Sequence, residues 1–508
     1  MALLSSAPEL EVQARAQIQE WIQGGELRRV QYNVTLPTIV NSPTDPLSYR
    51  EIVAETTAVS HHVSNSIRAF YKQLGLQHAG LGKPDDDISA TIIIDTQSFE
   101  GDAPCNHRRF HSRRLSLHDA ETLQDLDFVS LFALRSAPSR SAVESQDMRP
   151  LSPLLLLNCL AHLPAVKELY VPWLWERPMP CTVPSEPMRE HHSRPWEGPL
   201  RDARHEFGAA ILEPEKYLAG GRIPATLTEV GLHFWTPCQI PKEDQSIPRP
   251  NLIYPADHDP VSMGLRQLAT QLQVLDVRAL ITEDMFPPAT APAEEQWVHM
   301  RRLQIEFHLL RPDGRWYFTG PRGEDPHDAD QGGFRISNTG HYPPEPDRAE
   351  DKATDEEWEG DRYGGSSSDY VPDMFRIEPC RERIEPLLAA FAQALSRKNM
   401  PALEVAELFA VLWWSPSESR EEEYDVEDPD DWAPPDTHRW GVKYIAADED
   451  ESSNHGGPVV QWQVGEWRPS QRILSLFEAL GRQEWRDFEY GHGRDLGSFD
   501  LTLQKRLH

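Results

Sequence analysis

Three groups of potential metal ligands are the first candidates for chemistry in this sequence. Asp257-His258-Asp259 places three such ligands side by side, but adjacent loop residues cannot all face one ion, so a polar turn is favoured over a metal site. The histidine pairs His61-His62 and His191-His192 have no carboxylate at helical spacing, which favours solvated or packed rings. The acidic clusters at Glu421 and Asp428 lack the alternating ligands and central glycine of a calcium loop. We interpret those clusters as a solvated linker and expect no metal.

Catalytic signatures do not occur in the sequence. The nucleophile elbow G-x-S-x-G, the phosphate-binding motifs G-x-x-x-x-G-K-[ST] and G-x-G-x-x-G, and the metalloprotease motif H-E-x-x-H are all missing. Each supplies a turn or a ligand pair that its chemistry requires. We therefore predict no catalytic residue and no cofactor, and we interpret the chain as a non-enzyme.

Clusters of tryptophan are the strongest functional signal. On repeated strands the outward-facing residues form the binding face, and tryptophan is enriched in interface hot spots. The predicted binding residues are Trp173, Trp175, Arg177, Trp196, Trp235, Trp413 and Trp414. Two alternatives remain open: the tryptophans pack on the core beneath loops, and Arg177, Arg194 and Arg204 pair with nearby carboxylates.

The element that would position these residues is a short pattern, L-x-x-h-x-h, where h is apolar. Alternation with a period of two is typical of a strand with one buried face. The instances are Leu27–Tyr32, Val166–Val171, Leu227–Leu232, Leu272–Val277, Met300–Ile305 and Leu403–Leu408, with a weaker copy at Arg114–Leu117.

Segments with helical spacing precede several of these strands. Val59–Leu74, Val261–Leu272 and Ile384–Leu395 repeat apolar residues at steps of three and four, and breaks at Pro164 and Pro401 stop two helices just before a strand. Strands that each follow a helix are expected to be parallel. The sequence predicts an α/β fold: an irregular leucine-rich-repeat-like solenoid with parallel strands, long acidic disordered insertions and a C-terminal β-hairpin plus helix. Chance matches in an ordinary α/β protein are the alternative.

Composition along the chain predicts five regions. They are a helix–strand repeat array over 1–323, a disordered insertion rich in acidic residues, proline and glycine over 324–373, a continuation of the array over 374–415, an acidic linker over 416–437, and a C-terminal hairpin and capping helix over 438–508. Neither acidic region could offset its ordering entropy by burying apolar side chains.

The overall charge restricts the partners. Lys and Arg number 50 against 81 Asp and Glu, so the formal net charge is −31. This charge disfavours binding to nucleic acid or to an anionic membrane. The five cysteines show no C-x-x-C spacing, which suits a reducing compartment, and no signal-like or membrane-spanning segment is evident. We expect a cytoplasmic or nuclear protein.

Several phrases resemble a known group of proteins. Leu163–Leu169, Trp173–Arg177, Arg194–Pro199, Arg311–Phe318 and Arg439–Tyr444 resemble filamentous-fungal F-box-like proteins with degenerate leucine-rich repeats, over roughly residues 150 to 480. The resemblance implies an array that holds a client protein, and an F-box that docks the linker subunit of a cullin-type ubiquitin ligase. The nearest counterpart to the opening of an F-box is Pro8-Glu9-Leu10.

The sequence thus favours a non-enzymatic protein-binding scaffold or a substrate-recognition adaptor of a cullin-type ligase. Its expected partner is a protein, with the linker subunit as one candidate. The alternative is an accessory protein or enzyme of small-molecule metabolism whose site is not visible as a motif, and His233-Phe234-Trp235 is the segment that motivates it.

Overall fold

The chain forms two compact units, each of mixed α/β structure. The computed structural model describes residues 6–23, 28–40, 51–80, 87–100, 113–136, 149–174, 176, 196–235, 244–288, 290–327, 332–343, 372–423, 437–446 and 457–486. Unit 1 comprises Met1–Met179, Val183–Leu227 and Ser337–Asp369, and unit 2 comprises Pro180–Thr182, Thr228–Ile336 and Tyr370–His508.

Unit 1 contains a parallel sheet and five helices among its described residues. The helices are α1 (Ala7–Gln23), α2 (Val53–Gly80), α3 (Pro153–Ala161), α4 (Glu197–Leu212) and α5 (Pro214–Tyr217). The strands are β1 (Arg29–Val34), β2 (Ile39–Val40), β3 (Ile88–Ile94), β4 (Phe99–Glu100), β5 (Val129–Ser136) and β6 (Glu168–Val171). β1, β3, β5 and β6 pair in that order, all parallel, and β2 pairs with β4.

The apolar positions of these strands build one buried layer. Val30, Ala90, Phe132 and Leu169 lie in register across four strands, and none is more than 3% exposed. The spacing predicted for α2 fits this layer, because Phe70 stacks on Tyr32 with their ring centroids 5.0 Å apart.

The free edge of β1 is covered by side chains of α1. The Gln17 amide donates to the Asn33 carbonyl at 3.2 Å and accepts from the Asn33 N–H at 2.8 Å. The Trp21 indole donates to the Gln31 carbonyl at 3.1 Å. These contacts satisfy edge groups that would otherwise be a template for another strand.

Unit 2 contains a larger sheet that is parallel at one end. Its helices are α6 (Pro260–Ala269), α7 (Arg381–Ala394), α8 (Glu418–Glu423) and α9 (Gln471–Glu478). Its strands are β7 (Glu229–His233), β8 (Val274–Ala279), β9 (Arg302–Phe307), β10 (Phe318–Thr319), β11 (Glu378–Pro379), β12 (Val405–Trp413), β13 (Thr437–Ile445), β14 (Val459–Gln463) and β15 (Arg482–Trp485).

Strand order in unit 2 follows the chain. β7, β8, β9 and β12 are parallel neighbours, whereas β13 runs antiparallel to β12 and to β14, and β15 is parallel to β14. Val230, Leu275, Leu303 and Ala406 lie in one register row, each at most 1% exposed. The prediction of parallel strands is confirmed within each unit. The weaker copy at Leu115 makes only a single parallel bridge to Leu151.

The C-terminal part contains the hairpin that alternation indicated. Val442 lies opposite Trp462, and Tyr444 lies opposite Val460. Ser470 occupies the N-cap position of α9 without a capping hydrogen bond from its side chain, and its hydroxyl donates to Glu385 instead. Because β15 follows α9 and extends the sheet, this helix connects two strands and is not the last element.

Both regions predicted to be disordered contain ordered, packed residues. Within the first region, Asp325 pairs with two arginines. The Tyr342 ring packs directly against Gly198, where a Cβ atom would clash with it. Within the second, Glu418–Glu423 is the helix α8, and Arg420 pairs with Asp373 at 2.9 Å. Ion pairs and ring packing order these residues, and composition alone did not reveal those contacts. Residues 328–331, 344–371 and 424–436 of these regions lie outside the described part of the chain.

No helix of the described segments is long and apolar enough to cross a membrane.

Candidate binding surface

The predicted tryptophans differ in how accessible they are. In unit 1, Trp173 and Trp196 are 8% and 6% exposed. In unit 2, Trp235 is 4% exposed, whereas Trp413 and Trp414 are half-buried. The packing alternative therefore describes the first three, and a partner can reach only the last two directly. Trp175 and Arg177 lie outside the described residues.

The structure also shows one arginine that was expected to pair with a nearby carboxylate. Arg204 forms an ion pair with Glu176, and the two side chains are only 2% and 3% exposed. This supports the expectation that Arg204 pairs with a local carboxylate. Arg194 lies outside the described residues.

The candidate metal ligands have structural roles in the described residues. Asp259 caps α6 by accepting from the Ser262 N–H at 3.0 Å, and His258 Nδ1 lies 2.9 Å from Asp284. His61 stacks on His118 with ring centroids 4.2 Å apart. No group of three or more His, Cys, Asp or Glu residues that could hold a metal occurs among the residues described. His191-His192 and Asp428 lie outside those residues.

The side of the unit 2 sheet opposite the apolar row is polar, and we call it the polar face. It consists of two register rows: Asp276, Gln304 and Glu407, followed by Arg278, Glu306 and Phe409. Successive side chains of a strand point to opposite faces, so these residues alternate with the buried Leu275, Val277, Leu303, Ile305, Ala406 and Leu408.

Ion pairs between neighbouring strands hold the charges of the polar face. Arg278 Nε lies 2.6 Å from Glu306 Oε2, with side chains 16% and 14% exposed. Arg439 of β13 lies 2.5 Å from Glu407, with side chains 5% and 4% exposed, and its guanidinium stands 3.8 Å from the centroid of the Phe409 ring. Each of these carboxylates is already engaged by a guanidinium, so neither is available as a free general base.

Aromatic residues continue the polar face beyond the charged rows. His233 of β7 bonds to Asp276 through Nε2 at 3.1 Å. Trp235 meets His308 edge to face, with ring centroids 5.2 Å apart. Trp413 lies on the same side of β12 as Glu407, because the two are six residues apart on one strand. The surface thus combines paired arginines with a half-buried tryptophan, and arginine and tryptophan are enriched where proteins meet.

The charged rows were missed by the search for site residues, although the sequence contains the signal. Asp276, Gln304 and Glu407 are the residues between the last two apolar positions of three L-x-x-h-x-h matches. That position must face away from the core once the strand is assigned. What the pattern did not show is which charge pairs with which, since this depends on strand order.

Comparison with family models, with curated proteins and with solved structures gives no match for this chain.

Proposed function

We propose that this chain is a non-enzymatic protein-binding scaffold that holds a client at the partly exposed Arg278–Glu306 pair of the polar face of unit 2. The observation that supports this most is that Asp276 lies beside Gln304, and Arg278 beside Glu306, on the same face of the parallel strands β8 and β9. Side chains held by ion pairs lose little further conformational entropy on binding, so they favour specific recognition.

A tagged pull-down with a charge-swapped variant tests this proposal. The double variant Arg278→Glu/Glu306→Arg keeps an ion pair within the row but reverses its direction, so we expect the fold to persist while the client is lost. Lys398→Glu is the control, because Lys398 is exposed in the turn after α7 and away from the polar face. Unchanged client recovery with the swapped variant at wild-type stability would refute the proposal.

We further propose that the scaffold serves as a substrate-recognition adaptor of a cullin-type ubiquitin ligase. This proposal depends on the resemblance of residues 150–480 to fungal F-box-like proteins, and it is separate from binding at the polar face. The same pull-down tests it through co-purification of the linker subunit. Recovery of unrelated partners alone would remove the ligase role and leave the scaffold role.

One observation favours the small-molecule alternative. The hydrogen bond between His233 and Asp276 fixes the orientation of an imidazole, as a general base requires. Deletion of the gene, with complementation by His233→Gln, tests it through metabolite profiling. A profile that does not change on deletion would exclude this role.

A further inference from the structure

Three arginines and two aromatic rings of unit 2 form an alternating stack. Arg249 and Arg376 lie over the Trp316 ring, 5.5 and 4.9 Å from its centroid. Arg376 and Arg420 lie over the Phe375 ring, 5.2 and 3.7 Å from its centroid. Guanidinium groups placed over aromatic rings are attracted to the negative face of the ring.

Asp325 lies between two guanidinium groups at this stack. Its Oδ1 accepts from Arg376 Nη1 at 2.7 Å, and its Oδ2 accepts from Arg383 Nη2 at 2.7 Å. The Arg376 side chain is 0% exposed and that of Arg383 is 8% exposed, whereas that of Asp325 is 17% exposed. Asp325 is thus the member of the group that solvent reaches most easily.

Two donors at this site have no acceptor. Among the described residues, Arg376 Nη2 and Arg383 Nη1 are buried without a hydrogen-bond partner, and each belongs to the same guanidinium as the nitrogen that holds Asp325. A buried N–H without an acceptor is costly and requires an explanation. Arg376 also donates to the carbonyls of Gln245 and Phe318, and Arg383 donates to Cys380 Sγ, but none of these acceptors is bound to Arg376 Nη2 or Arg383 Nη1.

The charge balance points the same way. Burial lowers the pKa of Arg376 to about 10 against the opposing effect of Asp325, and the positive charges of Arg383 and Arg249 lower it further. Burial thus disfavours the charged form of Arg376 in spite of Asp325, and an added anion would favour that form.

We propose that Arg376 and Arg383 form a binding site for a phosphate oxyanion, and that Asp325 occupies this site as an internal substitute. A phosphate group carries about two negative charges near neutral pH and three or more acceptor oxygens. It could therefore neutralise both arginines and accept from the two donors that Asp325 leaves unpaired. Guanidinium groups bind phosphate strongly through charge-assisted hydrogen bonds. This proposal is independent of the polar face.

Removing the internal substitute tests the site. We expect Asp325→Ala to bind inorganic phosphate at least about tenfold more tightly than the wild-type chain, because no carboxylate then competes for the arginines. Binding is measured by calorimetry at constant ionic strength, with chloride as the reference anion. The double variant Asp325→Ala/Arg383→Gln should lose the gain.

A matched control separates a built site from exposed charge. Glu404 also lies between two arginines, Arg301 and Arg302, but all three side chains are 42–56% exposed. Glu404→Ala should gain no phosphate affinity. An equal gain there, an equal response to chloride, or a gain that persists without Arg383 would overturn the proposal.

Two further measurements complete the test. If Asp325→Ala does not fold, Asp325→Asn removes the charge with little change in volume and should show the same gain; no gain in that variant would overturn the proposal as well. A short phosphoserine peptide, with its unphosphorylated form as the reference, distinguishes the sources. Tighter binding than inorganic phosphate assigns the site to a phosphorylated protein, and equal or weaker binding assigns it to free phosphate.

Discussion

Arg439→Met is expected to destabilise unit 2 strongly, although the residue lies on the polar face of a sheet. The substitution leaves the Glu407 carboxylate 4% exposed and without the guanidinium that lies 2.5 Å from it. Removing one partner of a buried ion pair costs about 3–5 kcal/mol of unfolding free energy. For a unit of this size that corresponds to a fall in Tm of about 6–20 °C.

A double-mutant cycle identifies the origin of this cost. Glu407→Leu/Arg439→Met replaces both charges with apolar groups, and such replacements are often close to neutral. We therefore expect the double variant to be more stable than either single variant, as measured by urea unfolding. The cycle also removes the packing of Arg439 on the Phe409 ring from the coupling energy, since that contact is lost in every Arg439 variant. Additive single effects below about 1 kcal/mol, the value of an exposed pair, would show that the Glu407–Arg439 pair is solvated and would refute the reasoning.

Three other outcomes follow from single contacts. Burial lowers the pKa of the His62 imidazole, so the unfolded chain takes up the proton first as the pH falls, and the folded protein loses stability below about pH 6.5. His62→Gln should make this loss of stability smaller. Urea unfolding from pH 8 to pH 5 measures the effect. Gln17→Ala combined with Trp21→Phe removes the three hydrogen bonds that cover the β1 edge, and should increase self-association in light scattering, whereas Gln17→Glu alone should do so less. Cys159 is buried, and burial raises the pKa of its thiol to about 12. Iodoacetamide at pH 8 should therefore label the more exposed Cys380 before Cys159. Peptide mass spectrometry measures the labelling, and equal labelling of both thiols would contradict this prediction.

Parallel strands were predictable because period-two alternation and the preceding helices are local features of the sequence. Val230, Leu275, Leu303 and Ala406 were assigned to strands from such short patterns, and the structure places them in one register row. The sequence patterns do not predict how the strands are grouped into two compact units. Neither local alternation nor composition records that.

The tryptophan positions show where residue type misleads. A tryptophan near a strand end offers a large apolar surface, and this surface can be buried by the same chain or by a partner. Trp235 contacts His308 and is 4% exposed, whereas Trp413 remains half-buried. The two residues are alike in sequence context, so only the three-dimensional arrangement of the chain distinguishes them.

Acidic composition does not show which carboxylates find a partner charge. A run of Asp and Glu predicts disorder because it offers little apolar surface for burial, but that argument assumes that no partner charge is supplied from elsewhere. Asp325 finds Arg376 and Arg383, which are 51 and 58 residues away in the chain. The two arginines hold the start of the acidic region in place, and one of them is completely buried. In a chain of net charge −31, Arg376 and Arg383 share Asp325, and each keeps one buried nitrogen without a partner among the described residues. Such unpaired donors are the groups that an acidic segment, or a phosphate in its place, satisfies.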